Sequence, residues 1–237
     1  MKNLLVLAIA IATLIACSKK EDETGNVHIS GTIEGLSQGK LYIQKIQDTA
    51  LVVLDSIMIK GDPNFESHIT LDSPEMLYLF LDRGQTNSID NSLPFFAEPG
   101  TITINTKLKE FFAAAKITGS KNHDLFIEFN NLNKRFTDEN LSIMEKRLQN
   151  EVNFNQKTQD SINEAFDKLV KRKYLYVANY AATHADYEIA PYLALSEIAN
   201  INVTFLDTIA SKMTPQVANS KYGKMLTEHI KEIKETK

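Results

Sequence analysis

Cys17 is the only cysteine among the 237 residues, which rules out an internal disulfide, a Cys-x-x-Cys redox pair and a multi-thiolate metal site. The five histidines, His28, His68, His123, His184 and His229, fall on separate expected elements. They form neither an i, i+4 pair nor an H-E-x-x-H arrangement, so their spacing nominates no metal ligands, and they read as surface or internally satisfied side chains. Ser37, Ser56 and Ser120 lack the G-x-S-x-G elbow that exposes a nucleophile, and the glycines never gather into a phosphate cradle. The acidic pairs Glu21-Asp22 and Asp138-Glu139 sit in a charged tether and at an expected helix start, where solvation or the helix dipole accounts for them. The remaining concentration of chemistry is aromatic. Tyr176, Tyr180, Tyr187 and Tyr192 cluster around Asn179, with rings suited either to line a groove for a peptide or sugar or to pack on a neighbouring sheet. No catalytic residue and no cofactor site is expected from this pattern.

The neighbours of Cys17 give it a different chemistry. Lys2, an apolar stretch from Leu4 and small Ala16 make residues 1–16 an export signal, too short to span a bilayer as a stable helix. The tetrad Leu14-Ile15-Ala16-Cys17 resembles the lipobox of bacterial lipoproteins. That resemblance implies that the Cys17 thiol receives diacylglycerol and becomes the acylated first residue of the mature chain. Burial of acyl chains contributes about 0.8 kcal/mol per methylene and about two chains give stable anchoring, so a triply acylated Cys17 would hold the membrane permanently. The expected address is the cell envelope, at the outer membrane, on its periplasmic side or at the cell surface. The run Lys19-Lys20-Glu21-Asp22-Glu23 resembles a signal that sends some Bacteroidota lipoproteins to the surface, and it suits a solvated linker equally.

The scaffold behind these residues is bounded by composition: 43% apolar and 24% charged side chains are ordinary for a globular protein. A formal charge of −4, more negative by one once Lys2 leaves with the signal, argues against a nucleic-acid partner, as does the lack of a clustered basic stripe. Residues 17–26 are charged and read as a flexible tether. Residues 27–120 alternate in short apolar segments broken by Gly35, Gly61, Pro63, Pro99 and Gly100, which predicts seven or eight mainly antiparallel strands in a sandwich or open barrel. Residues 76–81 are apolar on both faces and belong to a central strand. A short helical insertion is expected within 107–115, ahead of a last strand at 116–118. Residues 121–237 switch to helical spacing, with Leu125, Phe129 and Leu132 on one face and Leu141, Met144, Leu148 and Val152 on another. The fold class is therefore α+β, an antiparallel β-sandwich or open barrel followed by a helical region.

Ile29-Ser30-Gly31-Thr32-Ile33, Gly39-Lys40-Leu41-Tyr42, Leu54-Asp55-Ser56-Ile57, Gly61 followed by Phe65, Phe96-Ala97-Glu98-Pro99-Gly100-Thr101-Ile102, and Ile117-Thr118-Gly119-Ser120 with Asn122 occur in that order. Together they resemble the β domain of unknown function in Bacteroidota thiol-disulfide interchange lipoproteins. In those proteins comparable helices follow, with a stretch like Val177-Ala178-Asn179-Tyr180, and then a thioredoxin-like domain carrying a Cys-x-x-Cys site. The present sequence is read as stopping where that domain would begin, so no catalytic residue of the family maps onto it. The resemblance implies an envelope lipoprotein acting as a non-catalytic binding or accessory module. The alternatives are an accessory subunit of a separately encoded thioredoxin-like protein, or a truncated remnant of such a protein. Asp48-Thr49-Ala50, Asp55-Ser56-Ile57, Asp160-Ser161-Ile162 and Asp207-Thr208-Ile209 resemble the Bacteroidota O-glycosylation sequon, which makes Thr49, Ser56, Ser161 and Thr208 candidate acceptors, Ser56 being the one expected to be covered by folding.

Overall fold

A computed structural model describes residues 25–84 and 89–236, apart from the side chain of Ile89. Cys17, the expected signal at 1–16 and the expected tether up to Thr24 lie outside the described residues. Eight strands come first: β1 (Val27–Glu34), β2 (Gln38–Gln47), β3 (Ala50–Lys60), β4 (Asn64–Ile69), β5 (Glu75–Asp82), β6 (Ser92–Ala97), β7 (Gly100–Lys107) and β8 (Lys116–Thr118). They make two four-stranded sheets, ordered β4-β1-β7-β8 and β3-β2-β5-β6. The architecture is the sandwich alternative and not a closed barrel. Every pairing is antiparallel except β1 with β7, which runs parallel.

Strand alternation builds the core directly. Val27, Ile29 and Ile33 of β1, Ile102 and Ile104 of β7, Leu41 and Ile43 of β2, and Leu77, Leu79 and Leu81 of β5 all point between the sheets and are fully buried. Gly31 interrupts this row for a steric reason: a Cβ there would lie 1.7 Å from the carbonyl oxygen of Ile104, so the parallel β1–β7 pair closes only over a residue without a side chain. Strand β5 is central, as its two apolar faces require, because Met76 and partly buried Tyr78 on its other face, with Phe96 of β6, pack against the helices. The expected insertion within 107–115 is a single 3-10 turn at Leu108–Glu110 that buries Phe111.

The helical region contains α1 (Lys121–Val152), α2 (Gln156–Thr183), α3 (Ile189–Glu197), α4 (Val203–Lys212), α5 (Pro215–Asn219) and α6 (Lys221–Glu235). Ser120 caps α1, its Oγ accepting from His123 N at 3.0 Å. Asp138-Glu139, expected to open a helix, lie inside α1 instead, because no breaker separates the two apolar stretches and α1 runs unbroken for 32 residues, about 48 Å. Among the described residues, no helix is long and apolar enough to cross a membrane. The end of the expected tether is also more ordered than its composition suggests: Asn26 exchanges hydrogen bonds of 2.8 and 2.9 Å with the backbone of Leu71.

Candidate functional site

The sandwich and helices are joined by polar groups that the sequence motifs supply. Glu98, at the β6–β7 corner, accepts from Lys121 N at 2.6 Å and from the Asn122 side chain at 2.7 Å, placing a carboxylate on the first turn of α1. Buried Asn122 also donates to Glu188 at 3.1 Å and accepts from Ile189 N at 2.8 Å, so one side chain ties β6–β7, α1 and the start of α3 together. Beside it, His123 Nδ1 accepts from Phe96 N at 3.3 Å, which requires the proton on Nε2. Burial lowers the His123 pKa below the ordinary histidine value, against a smaller upward pull from Asp124. On the far side of the seam, buried Glu75 pairs with Lys221 of α6 and with Lys45 of β2 at 3.5 Å. Tyr222 Oη accepts from Met76 N at 3.0 Å.

The tyrosines that suggested a groove are packed into this seam. Tyr180 is buried, donates to the Leu125 carbonyl at 2.8 Å and contacts the rings of Phe129 and Tyr176. Tyr192 meets Phe96, Phe126 and Tyr222 edge-on, and Tyr187 is partly buried against the same apolar cluster. Burial pushes the Tyr192 phenol up to about 12 and raises Tyr180 and Tyr222 further, so all three stay protonated. These rings are the core that fixes the helices on the sheet.

A row of exposed apolar side chains lies elsewhere. The base of the α1–α2 hairpin joins the apolar cluster shared with Met76 and Phe96 of the sandwich, α1 contributing Leu125 and Phe129 and α2 Val177 and Tyr180, whereas its outer turns hold a separate cluster of Phe136, Ile143, Ile162 and Leu169. Arg172 and Glu139 bridge the two helices at 2.5 Å, and Asn150 closes the tip through the backbone of Asn155. With Ile143 turned inward, Leu141, Met144, Leu148 and Val152 line the opposite face of α1, each more than half exposed. Phe154 at the tip is 65% exposed. The periodicity identified this face correctly as apolar, but the hairpin leaves it uncovered. A second apolar surface occurs where Ile46, Leu51 and Val53 are exposed near the end of the β2–β3 hairpin.

The four candidate glycan acceptors are dispersed and all exposed. Thr49 sits in the two-residue β2–β3 turn after Asp48, whose φ is 56°. Ser161 and Thr208 lie on the outer sides of α2 and α4, and Thr208 Oγ1 donates to the Thr204 carbonyl at 2.8 Å. Ser56, expected to be covered, is exposed because it points outward from β3 beside a neighbour on only one edge. Cys17 lies outside the described residues. What sequence spacing missed is the convergence of two histidines: strand pairing puts His28 directly opposite His68. The available signal was the outward phase of each residue in its own strand, which becomes informative only once β1 is known to pair with β4.

Residues 27–126 match the family model described as a domain of unknown function, DUF4369. The match covers the sandwich and the first turns of α1, and so includes both Glu98 and Asn122. No curated protein matches the chain, and no solved structure matches it.

Proposed function

We propose that this chain is a lipid-anchored envelope lipoprotein that acts by binding, with the sandwich as its body and the α1–α2 hairpin as its docking arm. The observation that carries this reading is the exposed row Leu141, Met144, Leu148 and Val152 on a helix whose other face is already packed. A contiguous apolar face on a braced helix suits a protein interface, since covering it removes apolar area from water at about 25 cal/mol per Å². Cys17, acylated as the lipobox resemblance implies, holds the body at the outer membrane. The likeness to thiol-disulfide interchange lipoproteins favours a thioredoxin-like protein as the partner, with this chain as its non-catalytic accessory subunit.

A photo-crosslinking residue placed at Met144 in cells tests the docking arm. The expected result is one discrete adduct containing a thioredoxin-fold protein, lost when Leu141 and Leu148 are both changed to Glu. Equal labelling from Met144 and from a polar control at Lys168, or an adduct indifferent to the double substitution, refutes the arm. Globomycin tests the anchor separately, because a lipoprotein precursor accumulates uncleaved whereas normal processing removes the lipid assignment.

A further inference from the structure

We propose that His28, Glu66 and His68 form a divalent transition-metal site on the solvent face of the sandwich. The strands place these residues by register and alternation. In β1 the side chains of Val27 and Ile29 enter the core, so His28 and Ser30 face outward; in β4 Phe65, Ser67 and Ile69 enter it, so Glu66 and His68 face outward. His28 is paired across the strands with His68, and Ser30 with Glu66. The three side chains therefore converge on one patch, with their ligand atoms all within 4.8 Å of one another.

Local geometry departs from that of an ordinary surface cluster. The imidazole rings lie face to face, 4.4 Å apart and 4° from parallel. His28 Nε2 is 2.6 Å from Glu66 Oε1, yet the two are not aligned as a hydrogen bond, and this nitrogen is shielded from solvent without a hydrogen-bond partner. A shielded ring nitrogen pressed against a carboxylate off the bonding direction is poorly satisfied by the pair alone. A tetrahedral Zn²⁺ with bonds of about 2.0–2.2 Å spaces its ligand atoms about 3.4 Å apart, between the shortest and longest separations found here. Small rotations of partly exposed side chains on a fixed backbone therefore suffice to complete the site. The adjoining concavity is lined by Ser30, Thr32, Asp62, Asn64, Glu66, Thr103 and Asn105, with no Lys or Arg among its walls to oppose a cation.

Two imidazoles and one carboxylate select Zn²⁺ or Cu²⁺ over Ca²⁺ or Mg²⁺, which take oxygen ligands. Three protein ligands leave a coordination position open toward solvent. Because β4 is an edge strand, the ion would also clamp that edge to β1.

The test uses the full chain in detergent, stripped with a chelator and titrated with Zn²⁺ while the histidine ring nitrogens are followed by NMR. The expected result is binding of one equivalent with shifts at His28 and His68, sparing His184 and His229. His28→Gln and His68→Gln should each weaken binding at least 100-fold, and Glu66→Gln about tenfold, whereas His229→Gln leaves it unchanged. Should a histidine variant misfold, the ring-nitrogen shifts of the unmodified chain still decide the matter. Absence of binding at millimolar Zn²⁺, or an unchanged equivalent in the His28→Gln, His68→Gln double variant, would reduce the cluster to a stacked pair beside a carboxylate and overturn the proposal.

Discussion

Replacing Asn122 by Ala should uncouple the helices from the sandwich. The substitution deletes hydrogen bonds to Glu98 at 2.7 Å, to Glu188 at 3.1 Å and from Ile189 N at 2.8 Å, all made by a side chain only 2% exposed. Bonds to charged acceptors contribute about 1.5–3 kcal/mol each and the neutral one about 1 kcal/mol, while Glu98 keeps its bond from Lys121 N. Allowing for relaxation and water entry, the expected loss is about 3–4 kcal/mol, a shift of roughly 100- to 1,000-fold in the folding equilibrium. Ser120→Ala, two residues earlier, removes only the N-cap and should cost about 1 kcal/mol. Asn122→Asp preserves the shape but sets a third carboxylate against Glu98 and Glu188, so it should be worse than Ala at neutral pH and recover as pH falls. Urea unfolding, followed by circular dichroism, measures all three. Equal costs for Asn122→Ala and Ser120→Ala, or a cost below about 1 kcal/mol for Asn122→Ala, would refute its role as the joint.

Two further outcomes follow from the fold. Gly31→Ala drives a methyl into the Ile104 carbonyl and should cost about 3 kcal/mol or more, whereas Gly61→Ala, with φ of +92° but open space around it, should cost about 1–2 kcal/mol; thermal unfolding of the two variants checks the order. His123, whose folded-state pKa is lowered chiefly by burial, contributes stability above the ordinary histidine value of about 6.5 that is lost as pH falls, because the unfolded chain binds the proton more readily. His123→Gln should flatten that acid-side slope in urea titrations across pH, and an unchanged slope would discount buried His123 as its source.

Local pattern determined much of this protein. Alternation and breakers located the strands, the two-faced apolar run marked β5 as central, and spacing after Ser120 marked the change to helix, because each signal needs only neighbours a few residues apart. The same local reading found the apolar row Leu141, Met144, Leu148 and Val152. It could not tell that the row stays uncovered, since that depends on α2 packing against Phe136 and Ile143 from the other side. Likewise it placed Ser120 and Asn122 side by side where the helical spacing begins, whereas the tertiary contacts make Asn122 the joint. The convergence of His28, Glu66 and His68 was decided by tertiary structure alone. Residues about forty positions apart meet only through the β1–β4 register, and a one-residue slip would send one histidine into the core.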